Sequence, residues 1–209
     1  GDILTMGKAP AEDIYQVYLK AIEHNPNSEF AHLSLIHLLL SNGEGREALK
    51  FSSKLAQLAD DGYLLNPRLA IEVHASILFH LTNYDAAYKL CLAHLPPQNS
   101  EDDRTEDSED PYHIRLLNIV AQSLHQQGKC EEAQSFFDRA LRPDPMNVYT
   151  WNEKGRCLLQ SKRFDDALNY FDRALVLNPE DIRSICNRAL CLCLLGNVSQ
   201  GAEILIEHE

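Results

Sequence analysis

The strongest constraint on this 209-residue chain is internal repetition, because residues 129–147 recur in altered form as residues 163–181. When the two stretches are aligned without gaps, seven of the nineteen positions are identical. The identical pairs are Ala133/Ala167, Phe137/Phe171, Asp138/Asp172, Arg139/Arg173, Ala140/Ala174, Leu141/Leu175 and Pro145/Pro179. Small and large apolar residues recur at steps of three and four, which is the spacing of one buried helix face. The sequence therefore predicts pairs of helices, with a proline after the second helix of each pair.

Extending this register in both directions divides the whole chain. We predict a half repeat (second helix) at 11–26, repeats at 29–62, 68–99, 114–147 and 148–181, and a truncated repeat at 182–209. An acidic insertion at 100–113 interrupts the register, and its residues 101–110 contain seven acidic side chains and one basic one. Such a segment cannot bury apolar surface, so we expect a solvated loop. Both ends of the chain fall inside a repeat, which indicates a longer parent protein.

One repeat carries a full family pattern. Its residues, in order and at the correct spacing, are Trp151, Gly155, Leu158, Ala167, Phe171, Ala174 and Pro179. This pattern resembles the tetratricopeptide repeat family, from which Lys154 departs because the family prefers Leu there. The resemblance implies an all-α fold, a right-handed superhelical solenoid of antiparallel helix pairs with about 11 helices. It also implies that Gly155 is small because neighbouring helices approach closely at this position.

In this family the first helices of the pairs line a concave groove that receives a peptide or a helix of a partner protein. The resemblance therefore implies a partner-binding groove lined by His37, Phe79, Arg115, Asn118, Gln122, His125, Tyr149, Asn152, Arg156 and Arg183. Arginine can grip carboxylates with two hydrogen bonds, and asparagine can bind a peptide backbone as donor and acceptor. We expect an acidic ligand, and the alternative is that the arginines are only solvated or pair with neighbouring acids. A further hypothesis is that the acidic loop folds over this groove and competes with the ligand.

Composition excludes several other kinds of function. The net charge of -12 argues against nucleic-acid binding, because that binding depends on clustered Lys and Arg. The apolar runs are too short to span a bilayer, so we expect no membrane insertion. The six cysteines lie mostly inside helical apolar patterns, which favours a reducing, intracellular location in the cytoplasm, the nucleus or both.

The chain contains no motif of known chemistry: there is no HExxH, no CxxC, no paired Cys/His knuckle and no glycine-rich phosphate loop. We therefore predict no catalytic residue, no metal and no cofactor. The predicted function is a non-catalytic protein–protein interaction scaffold or adaptor. The alternative is a regulatory or substrate-recruiting module of a larger enzyme or multi-subunit complex. Association with other subunits through the apolar residues 204–206 of the last repeat is a second rival.

Overall fold

The computed structural model describes residues 11–96 and 110–208. Within these ranges the chain forms eleven α-helices and no strand, which confirms the all-α prediction and the predicted number of helices. The helices are α1 (Ala11–His24), α2 (Glu29–Ser41), α3 (Gly45–Asp60), α4 (Pro67–His80), α5 (Tyr84–Ala93), α6 (Pro111–Gln126), α7 (Cys130–Leu141), α8 (Val148–Gln160), α9 (Phe164–Leu177), α10 (Ile182–Leu194) and α11 (Val198–Ile206). None of them is long and apolar enough to cross a membrane. Nearly all of the predicted acidic loop, residues 101–109, lies outside the described residues.

The helices form two compact units, residues 1–83 and residues 84–209. In unit 1, consecutive helices from α1 to α4 pack against each other. In unit 2, the helices α5 to α11 do the same, and α6 and α10 also contact α8. The repeat boundaries given above stay a prediction.

The helix starts follow a simple rule. A side chain accepts a backbone N–H at the start of α2, α4, α6, α8 and α10, which are the first helices of the predicted pairs. The capping residues are Ser28, Asn66, Asp110, Asn147 and Asp181. The second helices α3, α7, α9 and α11 have no side-chain cap. Short polar side chains at these five positions therefore set where the first helices begin, because they satisfy amide groups that the helix itself leaves unpaired.

Close packing holds each pair together. Phe137 and Phe171 occupy equivalent positions in successive repeats and are both completely buried. A Cβ atom added to Gly155 would lie 2.6 Å from Cε1 of Phe171, so α8 and α9 approach each other as closely as the family pattern implies. Trp151 stacks on Tyr170 with ring centroids 5.8 Å apart, and its indole N–H donates to the Pro145 carbonyl at 2.9 Å. Glycine at 155 is thus a packing requirement rather than a source of flexibility.

Unit 2 contains two successive junctions between repeats: the first junction is formed by α6, α7 and α8, and the second by α8, α9 and α10. A buried hydrogen bond joins the first helices at each one, from Thr150 Oγ1 to Asn118 Oδ1 at 3.1 Å and from Asn152 Nδ2 to Ser184 Oγ at 2.9 Å. An ion pair also recurs, between Lys154 and Asp138 and between Arg188 and Asp172. Every residue of the second set lies one repeat after its counterpart in the first, so the repeat preserves polar contacts as well as apolar ones.

Lys154 shows how the structure accommodates its departure from the family pattern. Its side chain is only 6% exposed, and its ammonium group pairs with the Asp138 carboxylate. The same group lies 4.6 Å from the centre of the Tyr170 ring, on the face where a cation is attracted to the π electrons. The charge is therefore compensated on two sides, as a buried ammonium requires.

Candidate partner-binding surface

Four of the predicted groove residues are at least partly accessible to solvent on neighbouring helices of unit 2, and three of them are in contact. Gln122 on α6 donates from Nε2 to the hydroxyl of Tyr149 on α8 at 2.7 Å. The guanidinium of Arg183 on α10 lies 5.8 Å from the centre of the Tyr149 ring. Arg156 lies two helical turns after Tyr149 on the same face of α8. We call this group the tyrosine surface: Gln122, Tyr149, Arg156 and Arg183.

The charges on the tyrosine surface are unevenly compensated. Arg156 Nη1 donates to both carboxylate oxygens of Glu153, at 2.7 and 2.9 Å, and the Glu153 side chain is only 5% exposed. Arg183 has no ion-pair partner within the described ranges. Burial, followed by the Glu153 carboxylate, raises the pKa of the Tyr149 hydroxyl, so the phenol is neutral at physiological pH. Arg183 is therefore the cation of this surface best able to meet a ligand carboxylate.

Three other predicted groove residues are buried. Asn152 is 1% exposed, and besides its bond to Ser184 it accepts a hydrogen bond from Asn187 Nδ2 at 3.3 Å. Asn118 is also buried and binds Thr150, and His125 is buried at the end of α6. These side chains connect neighbouring helices in the structure. Our proposal for partner binding therefore rests on the tyrosine surface.

The remaining predicted residues lie apart from it. Arg115 is exposed at the start of α6, beside an open pocket of about 350 Å³ whose other walls include Pro143 and Asn147. In unit 1, His37 is exposed on α2, and Phe79 on α4 is half-buried with its ring edge-on to His80. Unit 1 also has an apolar pocket of about 420 Å³, lined by Leu40, Gly45, Glu72, Val73, Ser76, Ile77, His80 and Leu81. Neither His37 nor Phe79 lines this pocket.

A second set of reactive side chains lies inside the first junction. A ring nitrogen of His125 and the sulfur atoms of Cys130 and Cys157 all lie within 4.8 Å of one another, and all three residues are buried. Burial, with a further contribution from Cys130, raises the pKa of the Cys157 thiol. Burial, with a further contribution from Arg156, lowers the pKa of the His125 imidazole, and hydrogen bonding to Gln160 opposes this shift. All six cysteines of the chain are free thiols.

Sequence reasoning missed this set. His125, Cys130 and Cys157 lie on three different helices, and their spacing along the chain matches no metal-binding motif. The equivalent residues one repeat later are Leu159, Phe164 and Cys191. A comparison of the two repeats could therefore have drawn attention to this set. His125 and Cys130 are buried, whereas the apolar residues at the matched positions one repeat later, Leu159 and Phe164, are half-buried, and only the comparison of repeats reveals this difference.

Paired helices that repeat along the chain, with first helices joined to each other, define the class of helical-repeat proteins. Residues 121–182 match the family model described as "Tetratricopeptide repeat". Residues 121–182 are thus tetratricopeptide repeats, which confirms the resemblance read from the sequence. The likeness to solved structures extends the fold, but not the family assignment, over the other helices. No curated protein matches the chain.

Solved structures share this fold at low sequence identity. PilF of Pseudomonas aeruginosa is 19% identical with a TM-score of 0.66, and the match covers 94% of this chain and 82% of PilF. BtubC from P. vanneervenii is 16% identical with a TM-score of 0.68, with 95% and 86% covered. YrrB, described as a "TPR protein with an unusual peptide-binding site", is 18% identical with a TM-score of 0.54, with 93% and 91% covered. At these identities the likeness concerns the fold alone.

Proposed function

We propose that the chain is a non-catalytic scaffold that binds a peptide or helical segment of a partner protein, and that the tyrosine surface contacts an acidic stretch of that partner. The observation that carries this proposal is Tyr149, whose exposed ring is fixed between Gln122 and Arg183. Tyrosine and arginine are among the residue types that contribute most to binding energy at protein interfaces. An intracellular location, in the cytoplasm or the nucleus, accords with six free thiols.

The chemistry of the surface supports an acidic ligand. Tyr149 is 42% exposed, and its contacts with two neighbours reduce the entropy that a ligand must remove on binding. Arg183 lies beside it with a planar guanidinium that matches a carboxylate in two-bond geometry. A ligand carboxylate at Arg183 would place an adjacent apolar side chain against the tyrosine ring. The description of YrrB as having a peptide-binding site is consistent with a ligand of this kind on this fold.

The test uses synthetic peptides of matched length and aromatic content, one set rich in Asp and Glu and the other rich in Lys and Arg. We expect the acidic set to bind more tightly, and its affinity to fall as salt is raised. Tyr149→Ala and Arg183→Glu should each weaken acidic-peptide binding by about tenfold or more, since each removes a central contact. Arg46→Glu, an equal charge change on α3 of unit 1, serves as the matched control. Equal affinity for the two peptide sets, or equal weakening by the control, would exclude the proposal.

A second candidate function is association with another helical subunit through the end of unit 2. The observation that favours it is a set of exposed apolar side chains on the last two helices: Leu190, Leu194, Val198, Leu205 and Ile206. Exposed apolar side chains favour association when they form a continuous face. Sedimentation of the wild-type chain and of Leu205→Lys/Ile206→Lys tests it. A purely monomeric wild-type chain at high concentration would exclude self-association through this face.

If the chain is instead a recruiting module of a larger enzyme or complex, the tyrosine surface would bind the substrate protein. Activity of the full-length parent protein should then depend on Arg183, whereas activity toward a minimal substrate should not. Full activity of an Arg183→Glu parent protein on its protein substrate would count against that alternative.

A further inference from the structure

The first junction contains the components of a metal site. We propose that His125, Cys130 and Cys157 bind a zinc ion between α6, α7 and α8. Two sulfurs and one imidazole nitrogen are the donor types that Zn²⁺ prefers, and the site is separate from the tyrosine surface in both residues and chemistry.

The distances fit a zinc site after a small adjustment. Zn–S bonds of about 2.3 Å and Zn–N bonds of about 2.0 Å place tetrahedral donor atoms roughly 3.5–3.8 Å apart. The three donor atoms already lie within 4.8 Å of one another. These bond lengths require the donor atoms to move about 1 Å closer together, and side-chain rotations can achieve this. Because each donor comes from a different helix, binding requires the packed junction and not a local loop.

A second observation also points to a ligand at this position. His125 Nδ1 is buried and has no hydrogen-bond partner within the described part of the chain. A buried polar atom without a partner is unfavourable, and such an atom in a native fold calls for an explanation. The sulfur contacts are also weak: Cys130 Sγ donates to Gln160 Oε1 at 4.0 Å, and Cys157 Sγ donates to the Cys130 carbonyl at 3.7 Å. A cation would replace these poor contacts with three strong ones.

Charge balance favours Zn²⁺ over other thiophilic cations. On binding, each of the two thiols loses its proton to solvent, and two thiolates plus one neutral imidazole offset the charge of Zn²⁺ in full. Cu⁺ with the same ligands would leave a net negative charge in a buried site, which is unfavourable. The Gln160 amide oxygen or a water molecule can occupy the fourth position. The ion can enter at the turn between α6 and α7, since residues 126–129, which separate His125 from Cys130, are all exposed.

The experiment measures zinc binding by the purified chain, reduced with a phosphine, in competition with a chromophoric chelator. We expect one Zn²⁺ per chain, and replacement by Co²⁺ should produce the intense absorption of tetrahedral cobalt bound to thiolates. The thermal unfolding midpoint should rise with Zn²⁺ concentration, because the ion binds only the folded junction. Cys130→Ala and Cys157→Ala should each weaken zinc binding by about a hundredfold or more.

Two further variants distinguish the site from loss of folding and from nonspecific thiol binding. His125→Leu/Cys130→Phe introduces the residues found one repeat later, where both side chains are half-buried, and it should fold but not bind zinc. Cys186→Ala removes an exposed thiol and should bind zinc as the wild type does. The proposal is overturned if the reduced chain does not compete for Zn²⁺, if the double variant still binds it, if Cys186→Ala abolishes binding, or if the site takes Cu⁺ and not Zn²⁺.

Discussion

The two junctions of unit 2 are built on the same frame but differ in chemistry. Both join their first helices by an Asn–Ser/Thr hydrogen bond, and both carry a cation that pairs with an aspartate. They differ at two of three matched positions, where the first has the buried His125 and Cys130 and the second has the half-buried Leu159 and Phe164. The third position is cysteine in both, and burial raises the pKa of Cys191 to about 11.

This difference distinguishes the contacts that both junctions share from the residues that only the first junction contains. The hydrogen bond, the ion pair and the buried phenylalanine recur, so they belong to the stacking of repeats. The histidine and the first cysteine do not recur, and Leu159 near the equivalent position packs against the apolar cluster around Phe171. Apolar side chains can therefore occupy these two positions of a junction. His125 and Cys130 of the first junction thus have no counterpart that the repeat packing explains, which is why we assign a ligand to the site that they form with Cys157.

The largest effect we expect comes from the close contact that distinguishes the two helix pairs. Gly155 faces Phe171, whereas the equivalent residue of the preceding repeat is Ala121. Gly155→Ala should lower the free energy of unfolding by about 1–3 kcal/mol, because the added methyl group would overlap the Phe171 ring. Ala121→Gly should cost only about 0.5–1 kcal/mol, the usual effect of glycine inside a helix. Chemical denaturation of both variants measures the contrast, and equal losses would show that the Gly155 contact relaxes freely.

The ion pairs give the next largest effect. Asp138→Asn should destabilise the chain by about 1–2 kcal/mol, because it leaves the buried Lys154 ammonium without a full counter-charge. Asp172→Asn should cost about 0.5–1 kcal/mol, since Arg188 is more exposed and water can replace the carboxylate.

Lys154→Leu is the control for the buried pair. It removes the charge and restores the residue that the family pattern prefers, so we expect a neutral or stabilising effect. If Lys154→Leu is as destabilising as Asp138→Asn, the ion pair contributes net stability. Our interpretation, in which the pair only offsets the cost of burying the Lys154 ammonium, is then wrong.

The hydrogen bonds between first helices should contribute about 1 kcal/mol each. Thr150→Val keeps the shape of the side chain but removes the donor to Asn118, and Ser184→Ala removes the acceptor for Asn152. Both variants should be destabilised to a similar extent in thermal or denaturant unfolding. A loss at only one junction would mean that the two contacts are equivalent in geometry but not in energy.

These asparagines also show where sequence reasoning stops. The internal repeat was sufficient to predict the helix pairs, the all-α fold and the role of Gly155. It placed Asn118 and Asn152 on the first helices, but it could not show that the start of the next first helix covers them. That burial depends on how repeats stack, which periodicity within one helix does not describe.

The same limit applies to the buried cluster in the first junction. His125 and Cys130 are close in sequence, but Cys157 reaches them only through the packing of α8. The tyrosine surface was predicted only in part. The resemblance implied its four residues individually, whereas the contacts among Gln122, Tyr149 and Arg183 follow from the distances between three helices.

The smallest effect we expect lies in the turns inside the two helix pairs. Gly128, between α6 and α7, has φ of 77°, and Lys162, between α8 and α9, has φ of 60°. A residue with a Cβ is strained in this left-handed conformation, whereas glycine adopts it without steric cost. Lys162→Gly should therefore stabilise the chain by up to about 1 kcal/mol, the gain being reduced by the greater freedom of glycine in the unfolded state.

The reciprocal change, Gly128→Ala, completes this comparison. No atom outside the turn lies within 4 Å of an added Cβ, so the variant introduces backbone strain without a steric contact. It should lower the unfolding free energy by about 1 kcal/mol. If both substitutions leave the denaturation midpoint unchanged, the turns relax away from the left-handed conformation, and the two helix pairs differ only in their buried side chains. Opposite shifts of similar size would instead show that the turn geometry is required in both pairs and that the second pair tolerates strain which the first avoids.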